Sequence, residues 1–410
     1  MKAAVMGYGT VGSGVCEILT EKNSRLTGGG DYALSLGRVL DIRDLSGSPV
    51  KNVWTTRFDD ILNDPDIGVV VETMGGVNPA FDFCIRSMQA GKSVVTSNKQ
   101  LVAEKGEELF EAARANNVSF RFGAAVCGGI PVIRTLFYGL AANEIRGFSG
   151  ILNGTTNFIL TKMIKEKMSF DTALRLAQEN GYAERDPAAD IEGLDACRKT
   201  AILASAAFGT HVYAEEVHTE GITGITLEDA AYAENCGAKI KLLGRAQKLD
   251  DGRIYTLVSP ALIKNTALLS AVEGVYNAVT VRGDRVGDIL LYGQGAGKDA
   301  TASAVTADLI DCVRHPGFDR IYSWEKHAEN RLMPYDDKIL RLYVRGYANS
   351  KKSAVSCIRE TFDGAELLTR ENAPENELAF ITGQAREKDL RESLSSVRDF
   401  AAASVIRIEE

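Results

Sequence analysis

The sequence predicts an α/β protein that opens with a doubly wound parallel sheet, continues into an α+β region and ends in a ferredoxin-like unit. The sheet is predicted by a glycine-rich turn, Gly7–Gly12, lying between an apolar strand and a helix, and by the strand and helix patterns that alternate after it. The final unit is predicted by a β-α-β-β-α-β order of patterns from Ile339 onward. A length of 410 residues suits two or three domains.

Composition excludes several classes of protein. A net charge of -8 gives no global basic field for nucleic acid. No apolar run approaches the roughly 20 residues that span a bilayer, and 45% hydrophobic residues exclude a mainly disordered chain. The seven cysteines and four histidines lack metal-ligand spacing. We therefore expect a cytoplasmic protein with reduced thiols that binds neither nucleic acid nor membranes.

The first elements form the context of a dinucleotide site. Lys2–Met6 is an apolar strand, and the pattern from Val11 to about Glu21 predicts a helix with one buried face. The G-x-G-x-x-G between them provides a tight turn, a close backbone approach to a pyrophosphate and a helix N-terminus that binds anions. The alternative is a plain glycine turn. The expected cofactor contacts are Gly7, Gly9, Thr10, Val11 and Gly12.

Further elements complete this Rossmann-type sheet. Strands are expected at Leu36–Ile42, Gly68–Glu72, Ser93–Thr96 and Ser119–Phe122, and helices at 79–90, capped by Asn78, and at 101–116. Ligands of parallel sheets bind at the carboxyl ends of the strands. Thr73 and Lys99 follow two of these ends and are expected at the cofactor.

The form of the cofactor, NADP or NAD, stays open. An acid after the second strand would hold a ribose 2′-hydroxyl, whereas an arginine would hold a 2′-phosphate. Asp41 and Arg43 both follow that strand, and an insert, Asn23–Ala33, prevents spacing from deciding. Arg43 is our candidate for the 2′-phosphate contact, and a solvated charge is the alternative.

The pattern changes from Phe148 onward. A strand is expected to run into a polar turn that contains Gly154 and Thr155, and a helix over Phe170–Asn180 is stopped by Gly181. A loop rich in acids then leads to a helix over 194–208, on which Asp195 and Lys199 share a face. Taken alone, this spacing favours an exposed ion pair worth about 0.3–0.5 kcal/mol.

Six blocks of sequence, in this order, resemble the homoserine dehydrogenase family across nearly the full chain. The block G-Y-A-E-x-D-P-x-x-D-x-x-G-L-D-A-x-x-K is the most specific. The blocks are Gly7–Val15, Val94–Lys99, Gly128–Pro131, Ile151–Asn157, Gly181–Lys199 and Tyr292–Val305.

The resemblance implies an oxidoreductase of threonine, methionine and isoleucine biosynthesis. The family interconverts L-homoserine and L-aspartate 4-semialdehyde with NAD or NADP, and a positioned lysine is suited to the proton transfer. By resemblance, Lys199 is the proton donor, Asp195 orients it, and Lys99 is a second essential lysine near the nicotinamide. The residues expected to bind substrate are Glu184, Asp190, Thr155, Gly154 and Tyr182.

Two further sites are implied by resemblance. Backbone carbonyls of Val126, Gly128 and Ile130 would hold Na+ or K+, although Gly123 stands where family members often carry Glu. The alternative for this loop is a glycine turn that enters a helix. Gly297 is expected near the cofactor phosphates, where the chain returns to its first domain.

The expected domains are a nucleotide-binding domain, a substrate and dimerisation domain, and an ACT-like domain that resembles amino-acid sensors. Their limits are 1–135 completed by 293–320, then 136–292, then 335–410. A homodimer or homotetramer is expected, with threonine as an effector. The turn 347–353 lacks the Pro or Gly usual in ACT domains, so the alternative is an assembly module.

Two other functions are alternatives. A different oxidoreductase on the same scaffold would act on another small amino or hydroxy acid. A nucleotide and amino-acid sensor without catalysis would need an incomplete catalytic set, whereas Lys99, Glu184, Asp195 and Lys199 are all present.

Overall fold

The computed structural model describes residues 1–21 and 34–409, and these fall into two units. The first consists of residues 1–145, 201–216 and 282–328, and the second of residues 146–200, 217–281 and 329–410. The insert expected after the first helix, Asn23–Ala33, lies outside the described residues. Among the described residues, no helix is long and apolar enough to cross a membrane.

The first unit contains the predicted parallel sheet. Its strands are β1 Lys2–Met6, β2 Ser35–Leu40, β3 Trp54–Thr55, β4 Ile67–Glu72, β5 Ser93–Thr96 and β6 Phe120–Arg121. They pair in parallel in the order β3-β2-β1-β4-β5-β6. The order reverses between β1 and β4, and doubly wound sheets bind dinucleotides at such a switch point. The prediction of a doubly wound sheet is confirmed.

Helices cover this sheet on apolar faces. They are α1 Thr10–Glu21, α2 Asp59–Leu62, α3 Ala80–Gln89, α4 Lys99–Ala115 and the short α5 Val132–Arg134. Val15, Cys16 and Leu19 of α1 are buried against Val5 and Val39 of the sheet. Burial of an aliphatic side chain of this size contributes roughly 1.5–3 kcal/mol.

Two predicted details of the first unit were wrong. The second strand ends at Leu40, and Ile42 is 94% exposed instead of paired. The third helix begins at Ala80, with Pro79 rather than Asn78 at its N-cap position and no side-chain cap. The backbone closes this turn instead, because Phe81 N–H donates to the carbonyl of Val77 at 2.8 Å.

The second unit begins with strand β7, Ile145–Ile151, and helices α6 Gly154–Glu166, α7 Phe170–Glu179, α8 Ala188–Ile191 and α9 Leu194–Phe208. The polar turn expected after β7 is instead the first turn of α6. The side chain of Asn153 accepts a hydrogen bond from Thr156 N–H at 2.8 Å, which caps the helix. The predicted limits of α7 and α9 are confirmed within one residue.

The sheet of the second unit is built on a long antiparallel pair. The next elements are β8 His218–Thr219, α10 Leu227–Asn235, β9 Ala238–Lys248, β10 Ile254–Lys264 and β11 Tyr276–Gly283. β9 and β10 pair along their full length, from Ile254 opposite Lys248 to Lys264 opposite Ala238. A Cβ at Gly244 of β9 would overlap Thr200 Oγ1, so α9 packs on this sheet at close range.

The chain then returns to the first unit with β12 Gly287–Gln294 and α11 Lys298–Arg314. Ala302, Val305 and Leu309 of α11 belong to the same apolar core as α1. A Cβ at Gly14 would lie 2.8 Å from Cβ of Ala302, so the two helices are in close contact.

The last elements confirm the predicted ferredoxin-like order. They are β13 Ile339–Leu340, β14 Leu342–Ala348, α12 Lys351–Thr361, β15 Glu366–Leu368, β16 Glu377–Ile381, β17 Ala385–Arg386, α13 Glu387–Ser395 and β18 Phe400–Glu409. The strands pair in the order β18-β14-β16-β15, all antiparallel. β18 also pairs in parallel with β10, so one sheet continues from β11 through β7, β9 and β10 into this region.

Candidate active site

The three glycines of the G-x-G-x-x-G motif have different surroundings. Gly7 has φ +94°, and a Cβ there would lie 2.8 Å from the Thr73 carbonyl oxygen. A Cβ at Gly12 would overlap the carbonyl oxygen of Gly7, so both positions need glycine for the fold. A Cβ at Gly9 would meet nothing within 4 Å. Packing does not require glycine at Gly9, which fits the close approach of a phosphate from outside.

A cleft of about 690 Å³ lies beside this turn. It is lined by Tyr8, Gly9, Thr10, Ser13, Arg43, Asp44, Leu45 and Lys298. The N-terminal end of α1 and two basic side chains therefore face the same space, an arrangement suited to phosphate groups. Gly297, at the N-cap of α11 next to Lys298, has φ +111° and open space around it.

Asp41 and Arg43 are bound to each other. Arg43 Nε and Nη2 donate to the Asp41 carboxylate at 2.9 and 2.8 Å, and Tyr8 N–H donates to it at 2.8 Å. Hydrogen bonds from the Arg43 side chain, and then those from the backbone N–H groups of Arg43 and Tyr8, hold the pKa of Asp41 well below its usual range. The Arg43 side chain is 59% exposed at the edge of the cleft. Arg43 thus presents an exposed guanidinium that Asp41 holds in place. The Asp41 carboxylate is ionised and already accepts hydrogen bonds from Arg43 and Tyr8.

Glu72, which the sequence analysis did not identify, organises the carboxyl ends of β4 and β5. Its carboxylate accepts hydrogen bonds from Met74 N–H at 2.7 Å and from Thr96 Oγ1 at 2.6 Å. Burial raises its pKa, although these hydrogen bonds act in the opposite direction. Thr73 Oγ1 donates to the Gly7 carbonyl at 2.8 Å and so joins this loop to the glycine turn.

Lys99 is the first residue of α4. Asn98 caps the helix by accepting from Leu101 N–H at 3.1 Å, and its amide donates to the Gly76 carbonyl at 2.6 Å. Lys99 therefore begins a helix that is fixed to the loop after β4. This is the carboxyl edge of the sheet, where the sequence predicted it.

The loop that contains Val126, Gly128 and Ile130 has left-handed backbone at Cys127 and Gly128. Ile130 N–H donates to the Cys127 carbonyl at 2.8 Å, which closes the turn. Among the described residues, no group of three His, Cys, Asp or Glu side chains could hold a metal ion.

A buried carboxylate lies close to this loop. Gly123 N–H donates to Asp308 of α11 at 2.8 Å, and a Cβ at Gly123 would lie 3.0 Å from both carboxylate oxygens. Burial raises the pKa of Asp308 to about 7. A larger residue at position 123 would therefore crowd Asp308, a residue that the sequence analysis did not identify.

In the second unit, Asn153 joins the predicted acids to Lys199. Lys199 Nζ donates to Asp195 Oδ2 at 2.7 Å and to the Leu152 carbonyl at 2.8 Å. The Asn153 amide donates to the same Asp195 oxygen at 2.8 Å and to Asp190 Oδ1 at 2.6 Å. One short network thus contains three of the predicted site residues. Asn153 was missed, although it lies in the predicted I-L-N-G-T-T-N block.

The Asp195–Lys199 pair is not a surface ion pair. The two side chains are 4% and 10% exposed, because α9 lies close against β9 and its first turn faces the end of β7. An ion pair that is removed from water needs further hydrogen bonds to be tolerated. Asn153 and the Leu152 carbonyl supply them here.

The other predicted substrate contacts differ in their surroundings: Thr155 and Gly154 are fixed by contacts within the fold, whereas Tyr182 and Glu184 are exposed. Thr155 Oγ1 donates to the Tyr182 carbonyl at 2.6 Å, which ties α6 to the acid-rich loop. A Cβ at Gly154 would lie 2.5 Å from the Val275 carbonyl oxygen, so packing alone requires this glycine. Tyr182 and Glu184 are exposed, and the Glu184 carbonyl accepts from Gln178 Nε2 at 3.1 Å. The Asn153 network does not include the Glu184 carboxylate.

Two family profiles together match most of the chain. A family profile described as homoserine dehydrogenase, NAD binding domain, matches residues 7–123, and one described as homoserine dehydrogenase matches residues 131–310. The homoserine dehydrogenase of Synechocystis is 38% identical over 442 residues, which cover 100% of this chain and 99% of the relative.

Solved structures extend the likeness to the fold. A homoserine dehydrogenase from Thiobacillus denitrificans has a TM-score of 0.89 at 35% identity, covering 100% of this chain and 98% of that one. A hyperthermophilic archaeal homoserine dehydrogenase in complex with NADPH has a TM-score of 0.65 at 27% identity, covering 77% and 98%. This chain belongs to the homoserine dehydrogenase family.

Proposed function

We propose that this chain interconverts L-homoserine and L-aspartate 4-semialdehyde with a nicotinamide cofactor, and that Lys199 transfers the proton. The observation that carries the proposal is the buried Asp195–Lys199 pair, joined through Asn153 to Asp190. Burying two charges costs free energy. A reaction that needs a proton donor in a dry site explains why this pair lies inside the protein.

In the direction of reduction, the aldehyde carbon gains a hydride and its oxygen gains a proton. The reduced nicotinamide supplies the hydride when it is bound. Lys199 donates a proton from its ammonium group to the developing alkoxide, and the Asp195 carboxylate, 2.7 Å from Lys199 Nζ, holds the side chain in position. In the direction of oxidation, Lys199 accepts the hydroxyl proton instead.

The acids near Lys199 suit the other end of the substrate. Homoserine carries a protonated amine, for which carboxylates are the natural partners. We assign this role to Glu184 and Asp190, with Thr155, Gly154 and Tyr182 contacting the substrate from the start of α6 and the acid-rich loop. Lys99, at the carboxyl edge of the first sheet, is assigned to the nicotinamide end of the cofactor.

We further propose that the cofactor is NADP. Asp41 already accepts hydrogen bonds from Tyr8 and Arg43, so it is a poor partner for a ribose hydroxyl. The exposed guanidinium of Arg43 faces the cleft beside Gly9 and suits a 2′-phosphate.

Replacing Arg43 by Ala should raise the KM for NADP about tenfold or more, as expected for loss of a charge-assisted contact, and should leave the KM for NAD nearly unchanged. Equal changes in both KM values would contradict the assignment.

The test of the reaction is the initial rate of NADP and NAD reduction by the purified chain with L-homoserine, L-serine, L-threonine and L-malate. Turnover with L-homoserine, and formation of the semialdehyde, would support the proposal. Turnover with another member of the panel alone would indicate a different oxidoreductase on the same scaffold. No turnover with any of them would contradict catalysis.

Four further assignments are part of the proposal. The domains keep the limits 1–135 with 293–320, 136–292 and 335–410, and the chain acts as a homodimer or homotetramer. The region after residue 335 is ACT-like, because its strands pair in ferredoxin-like order. Threonine is its candidate effector, and added threonine should lower the homoserine rate. An unchanged rate would favour an assembly role.

The carbonyls of Val126, Gly128 and Ile130 stay our candidate ligands for Na+ or K+. The left-handed backbone at Gly128 supports the proposal, because such a turn can direct successive carbonyls toward one point. The rate in Na+ or K+ salts should exceed the rate in a choline salt at equal ionic strength. Equal rates would contradict the assignment.

A further inference from the structure

The last strand of the chain is joined by one arginine to a loop of the second unit. Arg407 of β18 is 1% exposed, and its two terminal nitrogens donate to the two carboxylate oxygens of Glu220 at 2.7 Å. The same guanidinium donates to both oxygens of Glu387, the first residue of α13, at 2.8 and 2.7 Å. Bidentate pairs of this kind are strong and geometrically specific.

Glu220 is held in the ionised form. Burial alone would raise its pKa, but the hydrogen bonds and charge of Arg407, with a further hydrogen bond from His218, lower it to about 2. Glu220 N–H also donates to the Val258 carbonyl of β10 at 2.8 Å. Side chain and backbone of Glu220 are therefore both fixed, one by β18 and the other by β10.

Residues 217–222, which we name the clamp segment, pack against the turn that follows Asp190. A Cβ at Gly221 would overlap the Ile191 carbonyl oxygen, and Ile222 N–H donates to that same oxygen at 2.8 Å. A Cβ at Gly193 would lie 3.0 Å from Thr219 Cγ2. The clamp segment therefore leaves the turn 191–193 no room to shift toward it.

The turn 191–193 separates the two acids of the candidate site. Asp190 precedes the turn, and Asp195 follows it in the first turn of α9. The side-chain amide of Asn153 donates to both. The hydrogen bonds are 2.6 and 2.8 Å long. A small displacement of the turn would lengthen one of them, because one amide group cannot follow two carboxylates that move apart.

We propose that Glu220 and Arg407 are positioning residues for Asp190, the substrate acid next to the turn 191–193, acting through the clamp segment. The inference rests on the function proposed above and names no contact between these two residues and the substrate. The C-terminal region then holds the acid-rich loop in its binding geometry, independently of any effector.

The test is Glu220→Gln in the full-length chain, which removes the charge and keeps the shape. The KM for homoserine should rise about fivefold or more, within the usual range for coupling between distant sites. The kcat and the KM for the cofactor should stay near their wild-type values. Arg407→Lys, which cannot bind Glu220 in bidentate fashion, should act in the same direction, and the double variant should be no worse than the stronger single variant.

The matched control is Glu387→Gln, which alters the other carboxylate on the same guanidinium and leaves Glu220 in place. It should not change the KM for homoserine. An equal rise in this control would overturn the proposal, because the effect would then belong to the whole ion network. An unchanged homoserine KM in Glu220→Gln would overturn it as well.

A second readout does not depend on catalysis. Hydrogen exchange in peptides that cover 191–197 and 217–222 should be faster in Glu220→Gln than in the wild type, and unchanged in Glu387→Gln. If the wild-type chain does not turn over homoserine, faster exchange in Glu220→Gln than in the wild type would still support the clamp, while the proposed reaction would be contradicted, so the two failures can be distinguished. If Glu220→Gln does not fold, Glu220→Asp, which retains the charge on a shorter side chain, takes its place with the same expectations.

Discussion

At the scale of single residues, Asn153 holds the candidate site together. Its side-chain oxygen Oδ1 caps α6 by accepting from Thr156 N–H, and its side-chain NH2 group donates to Asp190 and Asp195. One side chain therefore fixes the start of a helix and the spacing of two acids. No other residue type of this size offers an acceptor and a two-hydrogen donor together.

Asn153→Asp separates these two roles. Aspartate is as good an N-cap as asparagine, so the free energy of unfolding should change little through the cap. The two acids lose their donor and face a third carboxylate, so kcat/KM for homoserine should fall about 100-fold, as expected for the loss of charge-assisted hydrogen bonds. Asn153→Ala, which loses both roles, should lower stability as well. An Asp variant with wild-type kcat/KM would show that the amide contacts are dispensable.

Asp308 predicts a dependence of stability on pH. Burial raises its pKa from 3.8 to about 7, so the native state keeps a proton that the unfolded chain has already lost. This contribution to stability is complete below about pH 4 and is lost as pH rises to about 7, in total roughly 4 kcal/mol. Asp308→Asn should gain stability relative to the wild type between pH 4.5 and 7.5 in denaturant unfolding. A difference that stays constant over this range would contradict the raised pKa.

At the scale of elements, the turn between β1 and α1 distinguishes folding from binding. Gly9→Ala adds a methyl group where the protein has open space, whereas Gly12→Ala places one against the Gly7 carbonyl oxygen. We expect Gly9→Ala to keep the wild-type melting temperature and to raise the KM for the cofactor at least tenfold, through a contact made only with the ligand. Gly12→Ala should lower the melting temperature. Wild-type cofactor KM in Gly9→Ala would show that no phosphate approaches this position.

The elements predicted correctly are those with a local signal. β1, α1, α7 and α9 begin or end with a glycine turn, a cap or a strong apolar period, and they lie within one residue of the prediction. α6 was taken for a turn, because Gly154 and two threonines disfavour a helix and the Asn153 cap that offsets them is visible only in the fold. β9 was not predicted, because its sequence does not alternate cleanly between apolar and polar residues. Nearly all of this strand is buried on both faces.

At the scale of the whole chain, buried ion pairs secure the C-terminal region within the second unit. Asp229 of α10 accepts from Arg345 Nε of β14 at 2.7 Å and from Tyr343 Oη at 3.1 Å, and the side chains of Asp229 and Arg345 are 0% and 4% exposed. This contact joins elements that are more than 100 residues apart in sequence. Long-range pairs of this kind leave no pattern that a single sequence reveals.

Asp229→Asn should therefore destabilise the chain. It removes the closer of the two carboxylates at the buried Arg345 guanidinium and leaves only Glu377, at 3.8 Å. Breaking such a buried pair costs up to about 3–5 kcal/mol. Asp389→Asn is a matched control, because Asp389 is also the third residue of its helix but pairs with Arg386 in an exposed position; its loss should cost at most about 1 kcal/mol. Urea unfolding of both variants gives the comparison. Equal losses of unfolding free energy in the two variants would mean that the buried Asp229–Arg345 pair stabilises the chain no more than an exposed pair does.

The sequence indicated the charged side chains of the candidate site but not the residues that hold them in place. Lys199, Asp195 and Asp190 lie in one network because their spacing places them around one turn and one helix. Asn153, Glu72 and Asp308 were missed, since they act through hydrogen bonds to backbone groups and to residues remote in sequence. The resemblance named candidate residues for the reaction, and only the fold reveals which side chains hold them in place.

The central claim is that Lys199 transfers the proton, and the most direct test is kcat for L-homoserine in Lys199→Ala at saturating cofactor. We predict a loss of about 10²- to 10⁴-fold, the usual contribution of a general acid or base, with cofactor binding, measured by fluorescence of the reduced nicotinamide, unchanged. A folded Lys199→Ala protein that binds the cofactor and keeps a kcat close to the wild-type value would contradict the account.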